Sequence, residues 1–181
     1  MKDVKATTHT ELLFQYGSNM SSNRLNSPER LDGAARKVGP ARLEGWGIRF
    51  NLFSTTNTCG VTDAVQSPDE TVFGALYEVP RELIIAPKGR RSRMDEIEGA
   101  REDGTGNYMR SLVYVLRGDR HIQAYTYIGT KVGRDRFSRL APEVRRVSRG
   151  YFEHLRSGAL EFDLPKSYLN YLQRQAGVLK D

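Results

Sequence analysis

The sequence has few of the side chains on which metal, redox and thiol chemistry depend: it contains one cysteine and three histidines. The single Cys59 excludes a disulfide within the chain, which agrees with a reducing compartment, and we expect it to be a small buried residue. His9, His121 and His154 lie far apart and lack the spacing of metal ligands, so we expect them to be structural or solvent-facing. A glycine-rich loop of the P-loop or Rossmann type is also missing. The sequence therefore predicts no metal site and no cofactor.

Long apolar segments are missing as well. No run approaches the roughly 20 apolar residues of a membrane-spanning helix, and the first residues, MKDVKATTHTE, lack the apolar centre of a secretory signal. We therefore expect a cytoplasmic protein without a membrane partner. Residues 1–11 are predicted to form a polar, disordered tail. Residues 12–176 are predicted to form a single domain, because the chain shows neither a linker nor an internal repeat.

What the chain does have is positive charge, with a net charge of +6 and a pI near 9.5. The basic residues concentrate at 88–93 and at 134–156. A nucleic-acid partner is one interpretation of such segments. A solvated helix face and an exposed loop explain them more simply, because arginine and lysine are usually exposed. Steering of anionic small molecules by the segment 88–93 stays open, and so does a homodimer.

Hydrophobic patterning predicts a series of strands, one hairpin and several helices. Strands are expected at 12–16, 41–53 and 71–79, a hairpin at 111–117 with 121–128, and a loop at 57–63. Helices are expected at 21–31, before Gly99, from Pro142 to Gly158, and from Pro165. Glycines 45 and 47 should break the second strand, and Gly74 indicates either a bulge or a close backbone approach within the third.

These elements do not alternate regularly as strand and helix, so a doubly wound parallel sheet is disfavoured. The order favours an α+β fold, in which a small mixed or antiparallel sheet, open or curled into a barrel, carries helices on its outside.

The stretch FQYGSNM, residues 14–20, ends the first predicted strand in a turn. Gly17 can adopt a positive φ without steric cost, and Ser18 and Asn19 can bond to nearby backbone groups. From these residues alone, the turn either reverses the chain or holds a ligand.

A second stretch, MDEIEG at residues 94–99, carries three acids. On a helix Glu98 shares a face with Met94 and Ile97, so it should point toward the core. Such an acid is either solvated at the helix edge or buried with a raised pKa. From the residues alone, a structural role is the simpler interpretation.

Four motifs in order resemble the γ-glutamylcyclotransferase family: YGSNM, QSPDETVFGALYEV, MDEIEG followed by a tyrosine, and AYTYIG. The similarity runs from about residue 12 to about residue 172. It implies a small mixed β-barrel with flanking helices and an enzyme that needs no cofactor. The implied reaction closes an L-γ-glutamyl amide, the small-molecule partner, to 5-oxoproline and releases the attached amine.

The resemblance also implies roles for individual residues. Glu98 matches the family's catalytic glutamate, which would act as both general base and general acid. The residues that would hold the substrate are Tyr16, Gly17, Ser18, Asn19, Met20, Ser21, Tyr108 and Tyr127.

Two alternatives remain at this point. One is a cyclotransferase acting on a γ-glutamylated intermediate of a particular pathway. The other is a non-catalytic module of the same fold that uses its basic segments to hold an anion or nucleic acid.

Overall fold

The computed structural model describes residues 9–177, in which five strands close into a barrel. The strands are β1 (Thr10–Gln15), β2 (Arg36–Ser54), β3 (Cys59–Pro80), β4 (Tyr108–Arg117) and β5 (Arg120–Gly129). Around the barrel their order is β1-β3-β2-β4-β5. All pairs are antiparallel except β1 with β5, which meet in parallel at Leu13 and Tyr125. The predicted α+β barrel is thus confirmed.

Short helices surround the barrel. They are α1 (Ser22–Leu25), α2 (Arg81–Ile84), α3 (Arg93–Glu98), α4 (Lys131–Ser138), α5 (Arg149–Glu161) and α6 (Lys166–Ala176). A single turn of 3₁₀ helix, Ser18–Met20, follows β1. None of the helices within residues 9–177 is long and apolar enough to cross a membrane.

The strand β1 is held close to β3 by a glycine. A Cβ at Gly74 would lie 2.4 Å from the carbonyl oxygen of Gln15 and 2.8 Å from the ring of Phe14. Only a residue without a side chain permits that approach, so the close contact predicted at Gly74 is confirmed. The end of β1 is therefore held against Gly74 of β3.

The ribbon formed by β2 and β3 is longer than the sequence indicates. It pairs Arg36 with Glu78 at one end and Ser54 with Cys59 at the other. The expected break at Gly45 is a bulge, where Gly45 takes a φ of +77° and the pairing then resumes. Residues 59–63, predicted as loop, are the start of β3, because pairing with β2 overrides their weak local preference for a strand.

The helices after the barrel also differ from the prediction. Helix α5 does not begin at Pro142 but after Ser148, whose hydroxyl accepts from the amide of Tyr151 at 3.1 Å. It continues past Gly158 to Glu161. Helix α4 was not predicted at all, because its sequence KVGRDRFS is largely polar. The final helix α6 follows Pro165 as predicted.

Several isolated predictions can also be checked. Cys59 is buried, and His9 and His121 are exposed. The strand β1 begins at Thr10, within the segment predicted as a tail; residues 1–8 of that segment lie outside the described part of the chain.

Candidate active site

The turn that follows β1 forms one wall of a cavity of about 210 Å³. Gly17 there has a φ of −101°, so the turn does not use the positive φ that a glycine can adopt. Its small size matters for another reason: a Cβ would lie 2.7 Å from the hydroxyl oxygen of Thr62. The glycine therefore lets the turn press against β3.

Helix α3 brings Glu98 to a second part of the wall of the same cavity. Its first turn is closed by a capping box, in which the Ser92 hydroxyl accepts from the Asp95 amide and the Asp95 carboxylate accepts from the Ser92 amide, both at 3.1 Å. Its last residue is Glu98, and Gly99 takes the left-handed conformation with a φ of 65°. The predicted end of this helix is thus confirmed, and Glu98 lies at that end.

One hydrogen bond joins these two parts of the wall. The side-chain amide of Asn19 donates to Oε1 of Glu98 at 2.9 Å. The carbonyl of the same Asn19 side chain accepts from Arg30 at 3.0 Å. The orientation of Asn19 is therefore set from both sides, and so is the position of the carboxylate.

The environment of Glu98 changes its acidity. Burial raises the pKa of its carboxyl group above the ordinary value. The hydrogen bond from Asn19 and the positive charge of Arg30 favour the carboxylate and oppose this shift, with smaller contributions from Gln15 and Arg24. A carboxyl group with a raised pKa is a better proton acceptor than an exposed glutamate.

Seven of the nine residues predicted for the site line this cavity. They are Tyr16, Gly17, Ser18, Asn19, Glu98, Tyr108 and Tyr127. The other two do not line it: Met20 is fully buried in the core, and Ser21 is buried where α1 begins. Both lie behind the turn, so in this structure they support the cavity wall and are not part of its surface.

Tyrosine hydroxyls in the cavity wall bond to the protein itself. Tyr16 donates to the carbonyl of Tyr127, Tyr108 donates to the carbonyl of Thr62, and Tyr127 donates to Asp95 at 2.9 Å. Burial raises the pKa of each of these three tyrosines far above neutral pH. They remain protonated, so none of them can serve as a base.

A fourth tyrosine, Tyr151 of α5, was not predicted as a site residue. Its hydroxyl accepts from the amide of Thr62 at 3.1 Å and lies 2.9 Å from the Thr62 hydroxyl, and its ring lines the cavity. The sequence shows Tyr151 as one apolar position of a helix, a pattern that carries no sign of a site.

Two arginines that the sequence analysis missed also line the cavity. Arg24 donates to Nε2 of His154 at 3.0 Å and to Oδ1 of Asn57 at 3.1 Å. Burial and the nearby charge of Arg30 lower the pKa of Arg24, and burial and both arginines lower the pKa of His154. Within the described chain neither Arg24 nor Arg30 has a carboxylate within 4.0 Å. The cavity thus presents positive charge that no acid among residues 9–177 pairs directly.

The basic segment before α3 has largely structural contacts. Arg91 donates to the carbonyls of Asp95 at 2.7 Å and Ala100 at 3.1 Å, which closes the end of α3. Arg93 donates to the carbonyl of Arg30 at 3.0 Å and thereby ties the segment that carries Arg30 to α3. These two arginines hold the site together, and Arg90 is exposed.

Comparison with known proteins gives the following similarities. Residues 13–147 match the family described as gamma-glutamyl cyclotransferase, AIG2-like. A solved human structure, uncharacterized protein loc79017, shares 24% identity at a TM-score of 0.71, covering 91% of this chain and 86% of its own. A structure described as gamma-glutamyl cyclotransferase shares 24% sequence identity at a TM-score of 0.69, and the match covers 91% of this chain and 87% of that structure's chain. A yeast gamma-glutamyl cyclotransferase specific to glutathione shares 14% sequence identity at a TM-score of 0.54, and the match covers 93% of this chain and 98% of the yeast chain. At these identities the structures show a common fold. No curated protein matches the chain significantly in sequence.

Proposed function

The chain belongs to the gamma-glutamyl cyclotransferase, AIG2-like family, and we propose that it converts an L-γ-glutamyl amide to 5-oxoproline with release of the free amine. The family match and the cyclotransferase fold support an enzyme of this type. The observation that carries the proposal is the Glu98 carboxylate, which lines the cavity, accepts a hydrogen bond from Asn19 and has a raised pKa.

In the proposed reaction the substrate's α-amino nitrogen attacks its own γ-carbonyl carbon. Glu98 takes a proton from the ammonium group, which frees the nitrogen lone pair for attack. A new C–N bond forms and the carbonyl π electrons move to oxygen. When they return, the bond to the leaving nitrogen breaks, and Glu98 gives its proton to that nitrogen. The ring nitrogen, which still carries two hydrogens and a positive charge after the attack, loses one of them to solvent, and the released amine takes up a proton from solvent at neutral pH. Because no oxidation or reduction occurs, the reaction requires no cofactor.

The protein's main task in this reaction is to hold one folded conformer of the substrate. Nucleophile and electrophile belong to one molecule, so their correct orientation removes much of the barrier. The tyrosine rings and the Tyr16–Asn19 turn, which meet in the 210 Å³ cavity, provide walls for that purpose. Tyrosine hydroxyls bonded to the backbone make these walls rigid.

The unpaired arginines support an anionic substrate. A γ-glutamyl amide carries an α-carboxylate, and a γ-glutamyl-amino acid carries a second carboxylate on its leaving group. Buried positive charge is favourable only when it is compensated. Arg24 and Arg30 would compensate these carboxylates, which favours γ-glutamyl-amino acids over γ-glutamyl amines as substrates.

The test is release of 5-oxoproline from L-γ-glutamyl-amino acids, γ-glutamyl-ε-lysine and glutathione, with Glu98→Gln measured beside the wild type. We expect turnover of at least one substrate and a loss of about 10²–10⁴-fold in the variant. Glu82→Gln, at an exposed position of α2, is the matched control and should retain full activity. A near-wild-type rate in Glu98→Gln would refute the acid–base role. The absence of release from every substrate would refute the proposed turnover of these γ-glutamyl compounds, and would favour either a cyclotransferase with a pathway-specific substrate or a binding module.

A second readout is stability. The pKa of Glu98 is higher in the folded than in the unfolded protein. Ionisation of Glu98 therefore lowers the free energy of unfolding as the pH rises above the ordinary pKa of a glutamate. Glu98→Gln should therefore unfold at a higher temperature than the wild type at pH 8, and this gain should shrink toward pH 4.

A further inference from the structure

The last residue of β1, Gln15, lines the cavity with a side chain that is only 5% exposed. Its amide nitrogen is buried and makes no hydrogen bond within residues 9–177. A buried donor without a partner is unfavourable, because it has lost its bonds to water and gained none in exchange. Such a group in a cavity wall indicates a bond that forms when a ligand binds.

The location of this amide limits what it can contact. The Gln15 side chain favours the Glu98 carboxylate as a donor would, although its amide nitrogen does not meet hydrogen-bond geometry with it, so the amide lies beside Glu98 in the cavity wall. The neighbouring donors are already engaged: the amide of Asn19 bonds to Glu98, and the hydroxyl of Tyr16 bonds to a backbone carbonyl. Gln15 differs from them because its amide nitrogen, although attracted by Glu98, reaches no acceptor at hydrogen-bond geometry within residues 9–177.

The chemistry of ring closure requires a donor at this place. The attacking nitrogen must lie beside Glu98 to lose its proton. In the tetrahedral intermediate that nitrogen and the charged oxygen are bonded to the same carbon, so a donor next to Glu98 reaches the oxygen. Donors aimed at such an oxygen stabilise the transition state more than the substrate.

We propose that Gln15 is a further catalytic residue, whose side-chain amide donates a hydrogen bond to the γ-carbonyl oxygen and stabilises the oxyanion that forms from it. This inference rests on the proposed function. The timing favours it: once Glu98 has taken the proton, its neutral carboxyl group attracts the amide less strongly. The Gln15 donor then interacts with the oxyanion while the charge on that oxygen is largest.

The experiment compares Gln15→Leu with Gln123→Leu, the same substitution at an exposed position of β5. We expect kcat to fall about 10²–10³-fold in Gln15→Leu, with KM changed by less than about threefold because the ground-state carbonyl carries little charge. Thermal stability should be unchanged or higher, since the substitution removes an unpaired buried donor. The Gln123 variant should match the wild type in both measurements.

The pH profile separates this role from a merely supporting one. If Gln15 only held the Glu98 carboxylate, the loss would disappear at a pH well above the pKa of Glu98, where that group is ionised in either protein. An oxyanion donor predicts a loss that persists there. If the wild type is active and Gln15→Leu is equally active, this inference alone is overturned. The same holds if the variant loses kcat only at low pH. Absence of 5-oxoproline release by the wild type would overturn the proposed function, and this inference with it.

Discussion

Replacing Gly158 by alanine tests whether helix α5 positions the turn that follows β1 and carries Asn19. A Cβ at Gly158 would lie 2.4 Å from the Cβ of Met20, 2.8 Å from its carbonyl carbon and 2.8 Å from the amide nitrogen of Ser21. These atoms belong to or adjoin the backbone and cannot rotate away. The added methyl group must therefore move α5 away from the turn, or move the turn itself.

The magnitude follows from two opposing effects. Overpacking of a well-packed contact costs about 1–3 kcal/mol. Alanine in place of glycine inside a helix gains about 0.5–1 kcal/mol. We expect Gly158→Ala to lower the free energy of unfolding by about 1–2 kcal/mol in net terms. Activity should fall as well, because the displaced turn carries Asn19, which holds Glu98 at 2.9 Å.

The chain provides a matched control in the same helix. Gly150 lies in the first turn of α5, and a Cβ there would meet no atom within 4 Å. Urea unfolding and 5-oxoproline release should show Gly150→Ala as stable as the wild type or slightly more so, and fully active. If Gly158→Ala were as stable and as active as Gly150→Ala, the argument that α5 braces the turn would be refuted.

Two other predictions concern buried and paired acids. Asp95 accepts hydrogen bonds from Arg110 at 2.7 Å and from Tyr127 at 2.9 Å. Replacing Asp95 by alanine should lower the free energy of unfolding, measured in urea, by about 3–5 kcal/mol; a loss below about 1 kcal/mol would contradict this. Hydrogen bonds from Arg49 lower the pKa of Glu70 to about 2, so its contribution to stability is present above pH 4.5 and is lost as the pH falls toward 2. Glu70→Gln should therefore be less stable than the wild type at pH 6 but equal to it near pH 2, as measured by thermal unfolding; a difference independent of pH would exclude this ion pair as the cause.

The parts of the fold that could be predicted carry their signal locally. The hairpin of β4 and β5 has alternating residues around a turn at Gly118, which takes a φ of 59°. The end of α3 is marked by Gly99. By contrast, α4 has few apolar residues, and its start depends on Thr130, whose hydroxyl accepts from the amide of Gly133 at 2.9 Å. A short polar helix stabilised by its cap and by its position on the barrel leaves little periodic pattern.

The candidate site shows the same division. Glu98 and the turn at Tyr16 could be found because a resemblance linked two motifs that are far apart in the sequence. Arg24, Arg30 and Gln15 carry no motif of their own, and only folding brings them to the cavity. The lack of a carboxylate beside the two arginines and the unbonded amide of Gln15, both within residues 9–177, are properties of the three-dimensional arrangement, so they could not be predicted from spacing.

The pairing of β1 has a consequence for how the protein folds. This strand is synthesised first, yet its partners in the barrel come much later: Thr10 pairs with Pro80, and Leu13 with Tyr125. Contacts so distant in sequence form slowly, because the entropy of closing the intervening chain is lost before they can form. The strand must therefore wait, unpaired, until β3 has left the ribosome, and the barrel cannot close until β5 has followed. Since the turn after β1 carries Asn19, we expect enzymatic activity to return only in the final step of refolding, later than the hairpin of β4 and β5.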